Sequence, residues 1–215
     1  MPRIFYAGTL NGSSWSMRAW LALCEAGVEC ERRIVDIRRP QRFANLAAIA
    51  EFSPPGAVPV LVDDGEVIFD SLAIMEYAND LCQGRLLPAD TRLRAHARAL
   101  VAWVHSGMSG WGSNISFEDT FLPPTRTLTD SELAETLRVF AIWEAELQRS
   151  GGPFLMGMIG LPDFAFAPVV RRLLWLGPPL DNFPLARRWS AALLDHPPVA
   201  KWLREAEALP PIKQD

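Results

Sequence analysis

The 215-residue chain carries 21 Lys+Arg against 25 Asp+Glu, a net charge of −4 at pH 7, and 49% hydrophobic residues. That balance argues against a general nucleic-acid or anionic-membrane binder, which needs a basic face, while the length suits one large domain or two small ones with real cores. No apolar run approaches the roughly 20 residues that span a bilayer, no secretory leader is visible, and Cys24, Cys30 and Cys82 form neither a C-x-x-C pair nor a metal-ligand spacing with His96, His105 and His196, so a cytoplasmic protein without a metal is expected.

Residues 4–6 predict a short strand. Met17, Trp20, Leu21 and Cys24 then recur at i, i+3, i+4 and i+7, one apolar face of a helix that closes near Gly27. Residues 31–37 read as a second strand, parallel to the first as the crossover requires. A helical or irregular stretch follows around 43–50. Two apolar runs, 58–62 and 66–69, flank Asp63-Asp64-Gly65 and predict a hairpin. Asp70-Ser71 opens a helix with Ile74, Ala78 and Leu81 on its apolar face, and residues 84–90 read as a connector. Everything beyond reads as helix. Asp90 caps a segment with Leu93, Ala97, Leu100 and Val104 inward, and Thr129-Asp130-Ser131-Glu132 is a capping box ahead of Leu133, Leu137 and Phe140. Residues 161–175 predict a very apolar, buried helix, and 184–194 and 198–208 two more. The glycines, prolines and aromatics of 107–124 predict an irregular segment. The division expected is an α/β domain over 1–80, a linker at 81–90 and an all-helical domain over 91–215.

Three short motifs carry chemistry. Ser13, Ser14 and Ser16 lie between the first strand and the first helix, where unpaired N–H groups and the helix dipole favour an anion. A hydroxyl there that donates to a thiolate lowers the thiol pKa; the plainer reading is that Ser13 or Ser14 caps the helix. A cis Val58–Pro59 bond would turn the N–H and C=O of Val58 toward an extended peptide, whereas an ordinary trans proline opening an edge strand is the commoner case. Asp70 and Ser71, at a helix N-terminus, suit the ammonium and carboxylate of an α-amino acid, or form a routine cap.

In this order and spacing the motifs resemble the glutathione-binding half of the cytosolic glutathione transferases of the serine type. The segment from Ser13 to Leu23 is especially similar to the zeta-class pattern, and the likeness runs the length of the chain to His196-Pro197-Pro198-Val199-Ala200-Lys201-Trp202. The resemblance implies the glutathione transferase architecture, a thioredoxin-like βαβ-α-ββα domain followed by an all-helical domain (α/β + all-α). It implies glutathione as co-substrate, with its thiolate on Ser13 (Ser14 and Ser16 as alternates), its cysteinyl backbone on Val58 beside cis Pro59, its γ-glutamyl head on Asp70 and Ser71, and its glycyl carboxylate on Arg42. A small hydrophobic electrophile would enter a pocket walled by Trp103, His105, Met108, Trp111, Phe117 and Trp175, although most of these equally suit a helical core and His105 a satisfied buried histidine. A homodimer is implied, with no nucleic-acid or membrane partner. Two positions depart from the family pattern: Ala57 stands where Lys or Gln is frequent, and Gly160 where Ser or Thr caps the buried helix. Two alternatives remain open, a cis–trans isomerase of the maleylacetoacetate type with Arg18, Arg98 or Arg171 on the substrate carboxylates, and a non-catalytic glutathione binder.

Overall fold

The computed structural model describes residues 2–107 and 115–212. Among the described residues the four strands of the sheet precede Ser71: β1 (Ile4–Gly8), β2 (Glu31–Val35), β3 (Val60–Asp63) and β4 (Glu66–Phe69), in the sheet order β2-β1-β3-β4. β1 runs parallel to β2, with Tyr6 opposite Arg33, and antiparallel to β3, with Phe5 opposite Leu61. The β3–β4 hairpin turns at Asp64 and Gly65, both with positive φ (49° and 91°), the pair of left-handed residues that a tight hairpin requires. β2 stops two residues short of its expected end because the Thr9 hydroxyl takes the Ile37 N–H at 3.0 Å, drawing that backbone out of the ladder. β3 likewise begins at Val60 rather than 58, after a cis Val58–Pro59 bond.

Helices α1 (Ser14–Ala26) and α3 (Ser71–Leu81) pack together against one face of the sheet. On the opposite pleat Tyr6 meets Phe52, just past α2 (Arg42–Ala50), with ring centroids 5.2 Å apart. The expected single apolar face of α1 is too narrow a description. Ser16, Arg18, Ala19, Ala22 and Leu23 are buried along with Met17 and Leu21, while Trp20 and Cys24 are only half-buried. The reason is that α1 is enclosed, packing not only on α3 but also on two helices of the helical part, α6 (Leu161–Leu174) and α8 (Pro197–Glu207).

The helical part comprises α4 (Thr91–Ala102), α5 (Asp130–Ser150), α6 (Leu161–Leu174), α7 (Pro184–Asp195) and α8 (Pro197–Glu207); a π turn (Trp103–Gly107) continues α4, and a 3-10 turn spans Glu118–Phe121. Asp90 caps α4, accepting the Arg92 and Leu93 N–H groups at 2.9 Å. The α5 capping box forms as expected, Thr129 Oγ1 accepting the Glu132 N–H and Glu132 Oε2 the Thr129 N–H. The buried seam of α5 is Thr136, Val139, Phe140, Trp143 and Leu147, rotated from the expected Leu133, Leu137 and Phe140, because α7 packs on that side and brings Trp189 to 4.9 Å from Trp143. Leu81 and Leu93, both expected inward, are 37% and 45% exposed; each lies in a terminal turn that runs past the core. α6 is buried along most of its length, as its composition predicts. Four mixed strands flanked by α1 and α3, followed by a helical domain, form a thioredoxin-like domain joined to a helical one.

Candidate functional site

β1 ends at Gly8, where a Cβ would stand 2.8 Å from Ser13 Cβ and 3.0 Å from Val58 Cγ2. Absence of a side chain lets the start of α1 and the approach to β3 converge on the strand end. Ser13 is the N-cap of α1: its Oγ accepts the Ser16 N–H at 3.2 Å and donates to Ser16 Oγ at 2.7 Å, which also accepts the Gly8 N–H at 3.0 Å. Ser16 is wholly buried in this network and is not among the residues that border the cleft. Ser13, 4% exposed, and the half-buried Ser14 both line the cleft. The cap reading of Ser13 therefore holds, and the same residue borders the open space. No acidic residue occupies the first turn of α1, so its unpaired N–H groups and dipole favour an incoming anion.

Beside it, β1–β3 pairing stops at Tyr6↔Val60, which leaves Val58 beyond the ladder, half-buried and on the cleft wall. Ala57, exposed, adds no functional group there.

Asp70 and Ser71 form the third element. Asp70 caps α3, accepting the Leu72 N–H at 2.7 Å and the Ala73 N–H at 3.4 Å. Ser71 Oγ receives two bonds from the Arg18 guanidinium, from Nε at 3.0 Å and Nη2 at 2.7 Å. With both lone pairs of the hydroxyl occupied by a cation, its proton is left to donate outward. Nη2 of Arg18 also reaches His105 Nδ1 at 2.5 Å. A guanidinium has no acceptor, so His105 accepts there and carries its proton on Nε2, which lies 3.5 Å from Asp70 Oδ2. Burial pulls the Arg18 pKa down to about 10 while the Asp70 charge pushes it up; at neutral pH it remains a cation. Arg18 is 2% exposed and lies behind Ser71, not in the cleft. Trp15 completes the group, its ring centroid 4.1 Å from the guanidinium carbon and its plane edge-on to His105 at 5.4 Å.

The cleft consists of two adjoining cavities. One, about 470 Å³, is bounded by Asp70, Ser71, His105 and Pro59; the other, about 430 Å³, by Ser13, Ser14, Arg42 and Phe117; Trp15, Ala57 and Val58 belong to both. Arg42, the first residue of α2, has no ion-pair partner among the described residues. Of the expected electrophile walls, His105 and Phe117 border the cleft. Trp103 instead packs edge-on against Phe166 at 5.7 Å in the helical core, and Trp175 donates its indole N–H to the Leu122 carbonyl at 2.8 Å; neither lines the cleft. Met108 and Trp111 lie outside the described residues. Arg98 pairs with Glu76, and Arg171 bonds the Thr120 carbonyl and Glu207, so none of the three arginines considered for a dicarboxylate substrate lines the cleft. Trp15 was not singled out by the sequence reading. Its one signal is that position 15 falls off the Met17–Trp20–Leu21–Cys24 face and so points outward from the helix.

Residues 12–81 match the family model for the glutathione S-transferase N-terminal domain. A probable maleylacetoacetate isomerase of Caenorhabditis elegans is 38% identical over 106 residues, 49% of this chain and 47% of that protein, so less than half of that relative is matched. Glutathione S-transferase GstB of Escherichia coli K12 is 30% identical over 159 residues, 69% of this chain and 74% of the relative. A glutathione transferase homolog from Burkholderia gl BGR1, solved with bound glutathione, superposes with a TM-score of 0.72 at 22% identity, over 98% of this chain and 100% of the other. That last likeness is one of fold.

Proposed function

The chain belongs to the glutathione S-transferase family, and from that premise we propose that it binds glutathione in the cleft and activates the thiol for attack on a small hydrophobic electrophile. The observation that carries this reading is that Ser13 and Ser14, the unladdered Val58 and the Asp70–Ser71 pair border two adjoining cavities that share Trp15, Ala57 and Val58 as walls. In this reading Val58 pairs with the cysteinyl backbone as an added strand would, Asp70 and Ser71 take the amino-acid head, Arg42 takes the glycyl carboxylate, and Ser13 receives the sulfur.

The resting Ser13 hydroxyl donates inward to Ser16, an orientation that favours a binder without catalysis unless the hydroxyl turns. Turning exchanges a neutral bond worth about 1 kcal/mol for one to a charged sulfur worth about 1.5–3 kcal/mol. The balance favours the thiolate. Ser14 needs no such exchange but sits on the rim. The isomerase reading has support in the names of two relatives, yet it calls for cations on two carboxylates: Arg18, Arg98 and Arg171 are engaged elsewhere, and of the two arginines on the cleft wall Arg42 is assigned to the glycyl carboxylate while Arg172 donates to the Ile115 carbonyl at 2.7 Å. The transferase reading is therefore preferred.

An ordinary thiol near pKa 8.5 is mostly protonated at pH 7, and each unit of lowering is worth about 1.4 kcal/mol. Calorimetry should detect glutathione binding, and wild type should conjugate 1-chloro-2,4-dinitrobenzene. Ser13→Ala should lower kcat/KM at pH 6.5 by at least about tenfold and move the acid limb of the pH profile up by about one unit. A larger loss in Ser14→Ala would transfer the role to Ser14. Binding without turnover in wild type would favour the non-catalytic alternative, and no binding heat would end the proposal.

A further inference from the structure

Trp15 is 41% exposed, yet it is not a loose surface ring. The Arg18 guanidinium lies over it at 4.1 Å, and Arg18 is itself pinned by two bonds to Ser71 and one to His105. His105 meets the indole edge-on, 86° between planes. One face is thus covered by a buried cation, and an imidazole stands perpendicular to the ring. The residue keeps 41% of its surface exposed, and Trp15 lines both cavities of the cleft. It sits in the first turn of α1, adjacent in the chain to Ser14 and two residues from the Ser13 cap. A large, rigid, outward aromatic surface beside the anion-favouring end of a helix is costly to leave in water and serves well as a stacking platform.

Resting on the transferase reading, we propose that the exposed indole of Trp15 on the cleft wall is the platform for the second substrate, so that the site selects planar aromatic electrophiles over aliphatic ones. Stacking there holds an activated ring carbon beside the sulfur at the α1 N-terminus. In a substitution on a chloronitroarene the sulfur lone pair forms the new C–S bond, chloride leaves with the C–Cl pair, and the thiol proton passes to solvent. Trp15 supplies orientation rather than charge. Arg18 acts behind it as a positioning residue, holding the indole plane as it holds the Ser71 hydroxyl.

The test uses the full chain as wild type, Trp15→Leu and Trp15→Phe. With glutathione, the ratio of rates for 1-chloro-2,4-dinitrobenzene over iodomethane should fall about fivefold in Trp15→Leu and recover in Trp15→Phe, which keeps a ring for Arg18 to cover. Without glutathione, unreactive 1,3-dinitrobenzene should quench wild-type tryptophan fluorescence saturably. That quenching component should vanish in both variants, while calorimetric affinity for the probe is kept in Trp15→Phe and weakened about fivefold in Trp15→Leu. An unchanged rate ratio, or quenching indifferent to either substitution, would overturn the proposal. If wild type conjugates neither electrophile the transferase reading fails, and the glutathione-free titration still decides whether Trp15 is a platform. Should Trp15→Leu not fold, the quenching comparison between wild type and Trp15→Phe settles the matter.

Discussion

Asp70 has φ 71° and ψ 133°, a backbone conformation that residues with a Cβ rarely adopt and that costs on the order of 1–3 kcal/mol. Its side chain recovers part of that by capping α3, but capping by Asp over Gly is worth only a few tenths of a kcal/mol. Geometry at the head of the cleft is the better account of the strain. Asp70→Gly should therefore leave the melting temperature within a few degrees of wild type or raise it, while glutathione affinity by calorimetry falls at least about tenfold. A large drop in melting temperature would show that the cap, not the site, keeps the aspartate. At this scale the motif residues were legible: Ser13, Val58, Asp70 and Ser71 all reach the cleft that their sequence contexts suggested. Arg18, His105 and Trp15 were not legible as a group. Arg18 meets Ser71 and His105 across 53 and 87 positions of the chain, and no local pattern encodes such a meeting.

The start of α6 shows how an element can contradict a sound local rule. By capping preference Gly160 is inferior to Ser or Thr, and Asp163 three residues on bonds back to the Gly160 N–H at 2.9 Å as a capping partner should. A Cβ at position 160, however, would stand 2.4 Å from the Leu86 carbonyl oxygen, which accepts the Leu161 N–H at 3.0 Å. The helix end is sewn to the connector through that carbonyl, and glycine is required for the approach. Gly160→Ser should therefore destabilise by about 1–3 kcal/mol, read as a lower denaturant midpoint at unchanged m; a higher midpoint would show that capping wins. Asp163 itself is fully buried, its pKa pushed up to about 6 by desolvation against the Leu155, Gly160 and Trp189 N–H donors. A folded pKa above the unfolded one means that this group's contribution to stability is present at acid pH and is lost as pH rises through about 6.

Across the whole molecule, α1 belongs to both halves. It packs on α3 and also on α6 and α8, and the indole N–H of Trp202 in α8 donates to the Leu10 carbonyl of the loop that carries Ser13. The ion pairs Arg98–Glu76 and Arg32–Glu205 and the His196–Glu25 hydrogen bond also cross the junction, but their partners keep partial contact with water and such pairs contribute little. Apolar contact is what couples the halves. Unfolding should follow one cooperative transition by fluorescence and circular dichroism together, with a midpoint nearly insensitive to 0.5 M salt. Two separated transitions, or a strong salt dependence, would show independent halves or an electrostatic junction.

Local physics written along the chain determined the element order, the hairpin, the caps and the cleft-facing motifs, because strand alternation, turn residues and capping boxes act within a few residues. Tertiary structure alone decided that Ser16 turns inward, that Trp103 and Trp175 serve packing, that Gly160 is a steric necessity, and that Arg18 and His105 brace Trp15 and Ser71. Each of those outcomes depends on which distant surfaces come within a few ångströms, a quantity fixed by packing and not by neighbours in sequence.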